Sequence, residues 1–437
     1  MLRRSPPDQE GKASLPQQET DIGIYRPSTF EGLGVTTSWW GARQIAFDYP
    51  APLASIALPL TSAVGFTLTS DVDALQDLPH YAASAMDGWS VSGSGPWLLV
   101  PHAPRQGGIT ELKEGQAVAV FTGGLIPKGA TAVLREESGQ VLEGAASVRH
   151  LSLRPEAKLG ETLPGSHIRP AGEESHAGEV LIPAGTVLTP AHVALAAAAG
   201  HNELQVQNKP TVDFVLTGSE LSTSGRPGPG QFRDTIGPAL GSIIPQLGGI
   251  PKGQLHIGDS YDDWLSALSG SADGRNSDVT ITTGGTSRSA TDHLRTAITD
   301  LGGNLLIDGI AMRPGHPAVL AELPGGRLVV GLPGNPLAAM VALITLAEPL
   351  LAALANKPFR PTDLVASGKD LDPFPDQTRL VPCSLVQKQA MPTSYTGPGM
   401  MRGLAQADGL MVVPPNGIRA GGLVPVLLLP WTSTQIQ

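Results

Sequence analysis

At 437 residues and 45.2 kDa the chain exceeds what one hydrophobic core organises, so about two to four domains are expected. Its 41% hydrophobic and 16% charged residues are the balance of a globular protein, not of a chain too polar to collapse. A net charge of −10 without any run of Lys and Arg argues against a nucleic-acid binder, and the single cysteine, Cys383, with no His-Glu-x-x-His segment, excludes an intrachain disulfide framework and a Cys-cluster zinc site. A reducing, cytoplasmic setting fits best, and any anionic ligand must be held locally by helix-start amides, a few arginines or a bridging metal ion.

Residues 1–27 are polar and rich in Pro, Gln and Glu, and Arg3 and Arg4 precede no apolar stretch, which predicts a disordered tail rather than a signal peptide. Residues 28–84 and 166–207 are assigned to one connecting α/β layer, the second part carrying the apolar helix pattern Thr189 to Ala199 closed by Gly200. Between them, residues 85–165 alternate Gly/Pro turns with short runs such as Ala117 to Phe121 and Thr131 to Arg135, the pattern of an inserted small β domain. Residues 208–355 carry the clearest signal, a βαβ alternation that predicts a doubly wound parallel sheet. Its strands are placed at Thr211 to Leu216, Gln254 to Ile257, Asp278 to Thr282 and Arg327 to Gly331. Helices are supported by Leu294, Ala297, Ile298 and Leu301, and by Leu337, Val341, Ile344 and Leu350. The apolar run Leu337 to Leu354 is cut by Glu348 and Pro349 into halves shorter than the roughly 20 residues a bilayer needs, so no membrane association is expected. Residues 356–437 read as Pro-rich strands ending in Val424 to Leu429, a small barrel or sandwich.

Each proposed strand of the parallel sheet runs into a polar, Gly-rich turn, and in open parallel sheets ligands bind outside the carboxyl ends of the strands. The turns are Thr217-Gly218-Ser219-Glu220, Gly258-Asp259-Ser260, Thr283-Gly284-Gly285-Thr286-Ser287 and Leu332-Pro333-Gly334-Asn335-Pro336. Gly284 and Gly285 let backbone approach a ligand closely. Pro333 and Pro336 stiffen a loop presenting the Asn335 amide, which both donates and accepts. Glu220, Asp259 and Asp292 follow three different strands and so are placed to converge on one Mg2+ with bound waters. Asp87, between Met86 and Gly88, offers a carboxylate able to bind a metal or take a proton. Taken singly, an Asp before Gly is a turn residue, and Asp292 suits the first turn of a helix.

Read in order, Ser84-Ala85-Met86-Asp87-Gly88-Trp89, Thr217-Gly218-Ser219-Glu220-Leu221, Thr283-Gly284-Gly285-Thr286-Ser287 and Leu332-Pro333-Gly334-Asn335-Pro336 resemble signature segments of the MoeA-type molybdopterin molybdenumtransferases, the family that includes the gephyrin E domain. The likeness extends through Phe121-Thr122-Gly123-Gly124 with Pro127 and Gly129, Arg169 to Gly185, Arg313-Pro314-Gly315-His316-Pro317, and Gly397 to Pro414. It covers the chain from about residue 50 onward.

The resemblance implies a homodimer of four-domain subunits that takes adenylylated molybdopterin, supplied by a MogA-like adenylyltransferase partner, hydrolyses the adenylate with Mg2+ and inserts molybdate into the dithiolene. Residues 208–355 become the molybdopterin-binding, MogA-like domain and residues 356–437 a β-barrel. Asp87, Glu220, Asp292 and Thr122 become catalytic residues, with Glu174 joining Asp259, Asp292 and Glu220 as metal ligands. The pterin-binding set is Thr217, Gly218, Gly284, Gly285, Thr286, Ser287, Arg313, Pro314, Gly315, His316, Pro333, Gly334, Asn335 and Pro336. The sequence departs from the family pattern at Glu174 (usually Asp), Ser219 (Asp), Ile236 (Asn), Ser289-Ala290 (Gly-Glu), Arg313 and His316 (Lys), and Pro398 (Ser). A second reading therefore stands beside the first, a molybdopterin-binding scaffold of the same fold with weakened turnover.

Overall fold

A computed structural model describes residues 36–101, 111–143, 148–270, 276–287 and 292–432; the expected tail and the Ser289-Ala290 pair lie outside the described residues. The βαβ alternation produces strands Thr211–Thr217, Ile250–Ile257, Val279–Thr283 and Leu328–Leu332. They pair in parallel, with Thr211–Thr217 between Ile250–Ile257 and Val279–Thr283, and Leu328–Leu332 beyond. The two inner strands Val279–Thr283 and Leu328–Leu332 are buried along their whole length, as a parallel sheet covered on both faces requires. Two antiparallel strands not anticipated from the sequence, Val319–Glu322 and Asn304–Asp308, complete a six-stranded sheet. On one face Gly237–Leu247 buries Leu240, Ile243, Ile244 and Leu247; elsewhere Tyr261–Ser269, capped by the Ser260 hydroxyl, buries Trp264 against Leu294, Ala297 and Ile298.

The apolar segment after the fourth parallel strand corrects the expectation that Glu348 and Pro349 divide it. It is one helical run, Pro336–Leu354, of 19 residues, long and apolar enough by composition to cross a membrane and buried inside the protein from Leu337 onward. Proline has no N–H, and its ring collides with the carbonyl four residues back in an α-helix. The run relaxes into a π-helical stretch, Leu343–Ala347, where the Glu348 N–H bonds to the Leu343 carbonyl. In that register the next carbonyl, Ile344, would need the N–H of residue 349, which is absent. Arg43 fills the gap: its Nη1 donates to the Ile344 carbonyl at 2.9 Å and to Glu348 Oε2 at 3.3 Å. Arg360 Nη1 holds Glu348 Oε1 at 3.1 Å. Arg43 lies on the helix Trp39–Asp48, capped by Ser38, whose Trp39 Nε1 donates to Thr345 Oγ1 at 3.0 Å.

Three two-stranded ribbons, Ser55–Pro59 with Glu203–Gln207, Val72–Asp73 with Val180–Ile182, and Ala83–Ser84 with Ile168–Arg169, tie the segments on either side of the small β domain to each other. The helix Pro190–Ala198 begins at a capping box between Thr189 and His192. The small β domain is a six-stranded sheet around Val91, Trp97, Ala117, Ala132, Leu134 and Leu151. Its strand Ala132–Arg135 is pinned from outside, because Arg135 donates from Nε and Nη2 to Glu161, which is only 5% exposed. The Arg135 guanidinium holds the Glu161 carboxyl below the usual carboxylate range. Toward the C-terminus, strands Asp363–Ser367, Thr378–Val386, Gln389–Pro392, Gly409–Val413 and Leu423–Leu428 close on themselves through the pairing of Thr378–Val386 with Gly409–Val413, a five-stranded barrel. Strand Ile310–Arg313 adds to the barrel edge, Met312 opposite Thr378, so the loop after it sits where the α/β domain meets the barrel.

Candidate active site

The four turns at the carboxyl ends of the parallel strands are tied to one another. Thr217 Oγ1 donates to the Thr283 carbonyl at 2.7 Å, and the Gly284 N–H to the Leu332 carbonyl at 3.0 Å. Ser219 donates through both its N–H (3.0 Å) and its hydroxyl (2.7 Å) to Asp259 Oδ2. Where the family pattern has an Asp at 219, two carboxylates would face each other; Ser219 instead fixes Asp259 with one oxygen occupied. The Glu220 carboxylate folds back beside Gly218. Gly284 and Gly285 adopt φ values of +82° and +65°, and a Cβ would stand 2.4 Å from Thr217 Oγ1 at the first and 2.3 Å from the Trp264 ring at the second. These glycines therefore answer first to protein packing, and a ligand meets the backbone they leave exposed. The N–H groups of Gly285 and Thr286 find no acceptor among the described residues.

The third turn differs from the expected strand-to-helix junction. The helix starts only at Leu294, and Asp292 precedes it, its Oδ2 accepting a hydrogen bond from the Ser287 hydroxyl. In the fourth turn the helix does start at Pro336, but the Leu337 and Ala338 N–H groups both donate to the Pro398 carbonyl, at 2.9 and 3.2 Å. The helix start is thus satisfied by the barrel, and what it offers outward is the exposed Asn335 side chain, facing Gly399. Gly334 stands over Gly284, a built Cβ lying 3.9 Å from the Gly284 Cα.

The segment Arg313 to Pro317 joins this floor. Gly315 packs toward the Ala338 carbonyl, Arg313 is exposed with its guanidinium 4.9 Å from the centre of the Phe374 ring of the C-terminal region, and His316 is exposed with Nδ1 2.7 Å from the Ile310 carbonyl. Arg295, which sequence reasoning passed over, links the two loops: Nη1 donates to the Thr286 and Ser287 carbonyls (2.5 and 3.3 Å), Nη2 to the Pro317 carbonyl (3.3 Å), and Nε to Asp308 (2.5 Å). An arginine on the polar face of a short helix gives no sequence signal for such a role. Asp234 was also passed over; its Oδ1 accepts the N–H groups of Ile236 and Gly237 at 3.0 and 2.9 Å, while Ile236 itself is core, 5% exposed.

Asp87, Thr122 and Glu174 lie elsewhere. Asp87 Oδ1 accepts the Thr122 N–H at 2.7 Å and its hydroxyl at 2.9 Å, and the N–H, then the hydroxyl, hold the carboxyl below the usual aspartate range. Residue 88 pairs with Arg135, so the pinned strand also positions Asp87. Met86, Phe121 and Leu125 surround this pair with exposed apolar side chains, Phe121 at 75%. Glu174 is exposed in a turn beside Leu78. Among the described residues no hydrogen bond or ion pair links these three to the turns of the α/β domain, and no group of three or more His, Cys, Asp or Glu side chains converges to hold a metal. A cavity of about 420 Å3 borders Leu247, Lys357 and Phe359, near the amino ends of the strands and away from these turns.

Residues 41–200 match the MoeA N-terminal region (domain I and II), residues 214–353 a probable molybdopterin binding domain, and residues 365–429 the MoeA C-terminal region (domain IV). A protein of Mycobacterium tuberculosis called molybdopterin molybdenumtransferase 2 is 30% identical over 381 residues, 82% of this chain and 91% of that protein. The chain belongs to the MoeA family of molybdopterin molybdenumtransferases. A Bacillus subtilis molybdopterin molybdenumtransferase is likewise 30% identical, over 83% of this chain and 87% of its own length. The crystal structure of a molybdopterin biosynthesis MoeA protein from Pyrococcus horikoshii superposes with a TM-score of 0.72 at 23% identity, covering 90% of this chain and 99% of that one, so the MoeA fold is shared across the chain. As a MoeA-family enzyme the protein acts in molybdenum cofactor biosynthesis.

Proposed function

We propose that this enzyme takes adenylylated molybdopterin and molybdate and releases AMP as molybdenum enters the dithiolene, with the site completed by two subunits. The observation that carries the reading is a division within one chain: the turns read as pterin- and phosphate-binding lie at the strand ends of the α/β domain, while Asp87 and Thr122 lie in the small β domain, with no bond to those turns among the described residues and with the exposed apolar Met86, Phe121 and Leu125 close by in sequence. Exposed apolar side chains beside a fixed carboxylate suit a homodimer interface, which would bring Asp87, Thr122 and Glu174 of one subunit to the turns of the other. The parts divide as 28–84 with 166–207 for connection and dimerisation, 85–165 for the small β domain, 208–355 for the pterin and 356–437 for the barrel. A MogA-like adenylyltransferase supplies the adenylate, and all of this takes place in the cytoplasm.

In this reading Gly218, Gly285, Thr286 and Ser287 present backbone N–H donors to the terminal phosphate, and Gly284, whose own N–H is taken by the Leu332 carbonyl, gives the close backbone approach. Thr217, held under Gly284, supports them. Pro333, Gly334, Asn335 and Pro336 recognise the pterin with a rigid loop and one amide, and Arg313 supplies positive charge at the head of the loop Pro314, Gly315 and His316. Glu220, Asp259 and Asp292 offer only oxygen donors, and Mg2+ asks of a protein just one or two carboxylates beside waters and substrate phosphates. Glu220 and Asp259, joined through Ser219, are the residues that would hold it, and there it would offset phosphate charge during cleavage. Asp87, its carboxyl held below the usual aspartate range by the Thr122 N–H and hydroxyl, and Asp292 are the carboxylates that would accept the proton of the attacking water.

Mixing subunits tests the composite site. Light scattering is expected to give the dimer mass at micromolar concentration. Co-refolded Asp87→Ala and Asn335→Ala chains, each nearly inactive alone, should regain about a quarter of wild-type turnover, because half of the dimers are mixed and each mixed dimer has one intact site. No regain, or a monomer mass, would refute the two-subunit site.

A further inference from the structure

We propose that Arg295 is a positioning residue that sets the pterin-phosphate loop Thr283–Ser287 in register with the loop Arg313–Pro317, and so fixes the affinity of the site; the proposal rests on the functional reading above. Every nitrogen of its guanidinium is engaged within the protein, on Asp308, on the Thr286 and Ser287 carbonyls and on the Pro317 carbonyl, and its side chain is only 17% exposed. Four of its five N–H donors are thus spent within the protein. Its effect passes through the backbone. In a trans peptide the C=O and the following N–H point in opposite directions, so drawing the Thr286 carbonyl toward the guanidinium turns the Ser287 N–H away from it. Asp308 anchors the other end, in the strand Asn304–Asp308, just before the hairpin that carries Arg313 to His316. One planar fork thus holds two loops that belong to different strand connections, a task for which a lysine ammonium lacks the span.

The test is anaerobic binding of molybdopterin itself, without adenylate, so that turnover does not enter. Wild type is expected to bind, Arg295→Met to bind at least about tenfold more weakly, since misplacement of a binding loop by about 1 Å costs on that order or more, and Arg295→Lys to fall between them. With adenylylated substrate the same variants should lose more in kcat/KM than in kcat, a split that simple loss of stability would not produce in protein shown to be folded. If Arg295→Met does not fold, Arg295→Lys decides alone: weakening of several-fold is expected and wild-type affinity overturns the proposal. A folded Met variant within twofold of wild type overturns it equally. Wild type that binds no molybdopterin overturns the functional reading instead, and the proposal with it.

Discussion

Glu348→Ala is expected to destabilise the protein by about 3–5 kcal/mol, the usual cost of removing one partner from a buried ion pair. Arg43 is 1% exposed, and burial pushes its guanidinium below the ordinary arginine value against the opposing pull of Glu348. Without Glu348 that charge has two carbonyls, Ile344 and Arg360, and two aromatic neighbours, Trp39 and Phe359, but no counter-charge among the described residues. Arg43→Met is expected to cost less, about 1–3 kcal/mol, because it removes the charge and takes its donor from the Ile344 carbonyl and, at longer range, from the Arg360 carbonyl. The double variant should lie well short of the sum, which marks the two residues as one unit. Urea unfolding of the four proteins gives the cycle. Additive losses would show that Arg43 and Glu348 do not act as one unit in holding the helical run Pro336–Leu354.

Asp87→Ala is expected to lower molybdenum insertion by about 10²–10⁴-fold, the range for a lost acid–base group, while moving the thermal midpoint little, since the residue is exposed and, among the described residues, bonded to Thr122 and, through its backbone, to Glu136. Asp292→Ala should behave alike. The pH profile separates a carboxylate that reacts from one that merely shapes the loop. Thr122 stabilises the ionised form of Asp87, so the acid limb assigned to Asp87 lies below the ordinary aspartate pKa of about 3.9. Thr122→Val removes the hydroxyl donor and keeps the N–H. With one fewer bond to the charged form, the pKa rises, and activity on the acid side should be lost at higher pH than in wild type. An unchanged acid limb would assign that limb to another group, and wild-type turnover in Asp87→Ala would return Asp87 to a turn residue.

What could be read from the sequence followed from local rules. Runs such as Val279–Thr283 and Leu328–Leu332 are short, β-branched and bounded by Gly-rich turns, so strand, turn and parallel pairing could all be placed, and the five-stranded barrel was within the small set of folds open to Pro-rich strands. The antiparallel strands Asn304–Asp308 and Val319–Glu322 were not, since their periodicity is weak and their partners are set by tertiary packing. The break expected at Glu348–Pro349 is absent because Arg43, 305 residues away from Glu348, supplies the hydrogen bond that proline withholds. Gly284 and Gly285 were read as room for a ligand, whereas Thr217 and Trp264 claim that room. The bond between Asp87 and Thr122 spans 35 residues, and no periodicity reports it; only the likeness of both segments to one family set them side by side.

The central claim is tested most directly by a single-turnover reaction of the purified enzyme with adenylylated molybdopterin, molybdate and Mg2+, following AMP and molybdenum-loaded cofactor together. One AMP released per cofactor formed, in proportion to active sites and dependent on both molybdate and Mg2+, is the predicted result. Tight binding of the adenylylated pterin with no AMP above the enzyme-free blank would contradict the account and leave a protein that keeps the fold and the ligand without the reaction.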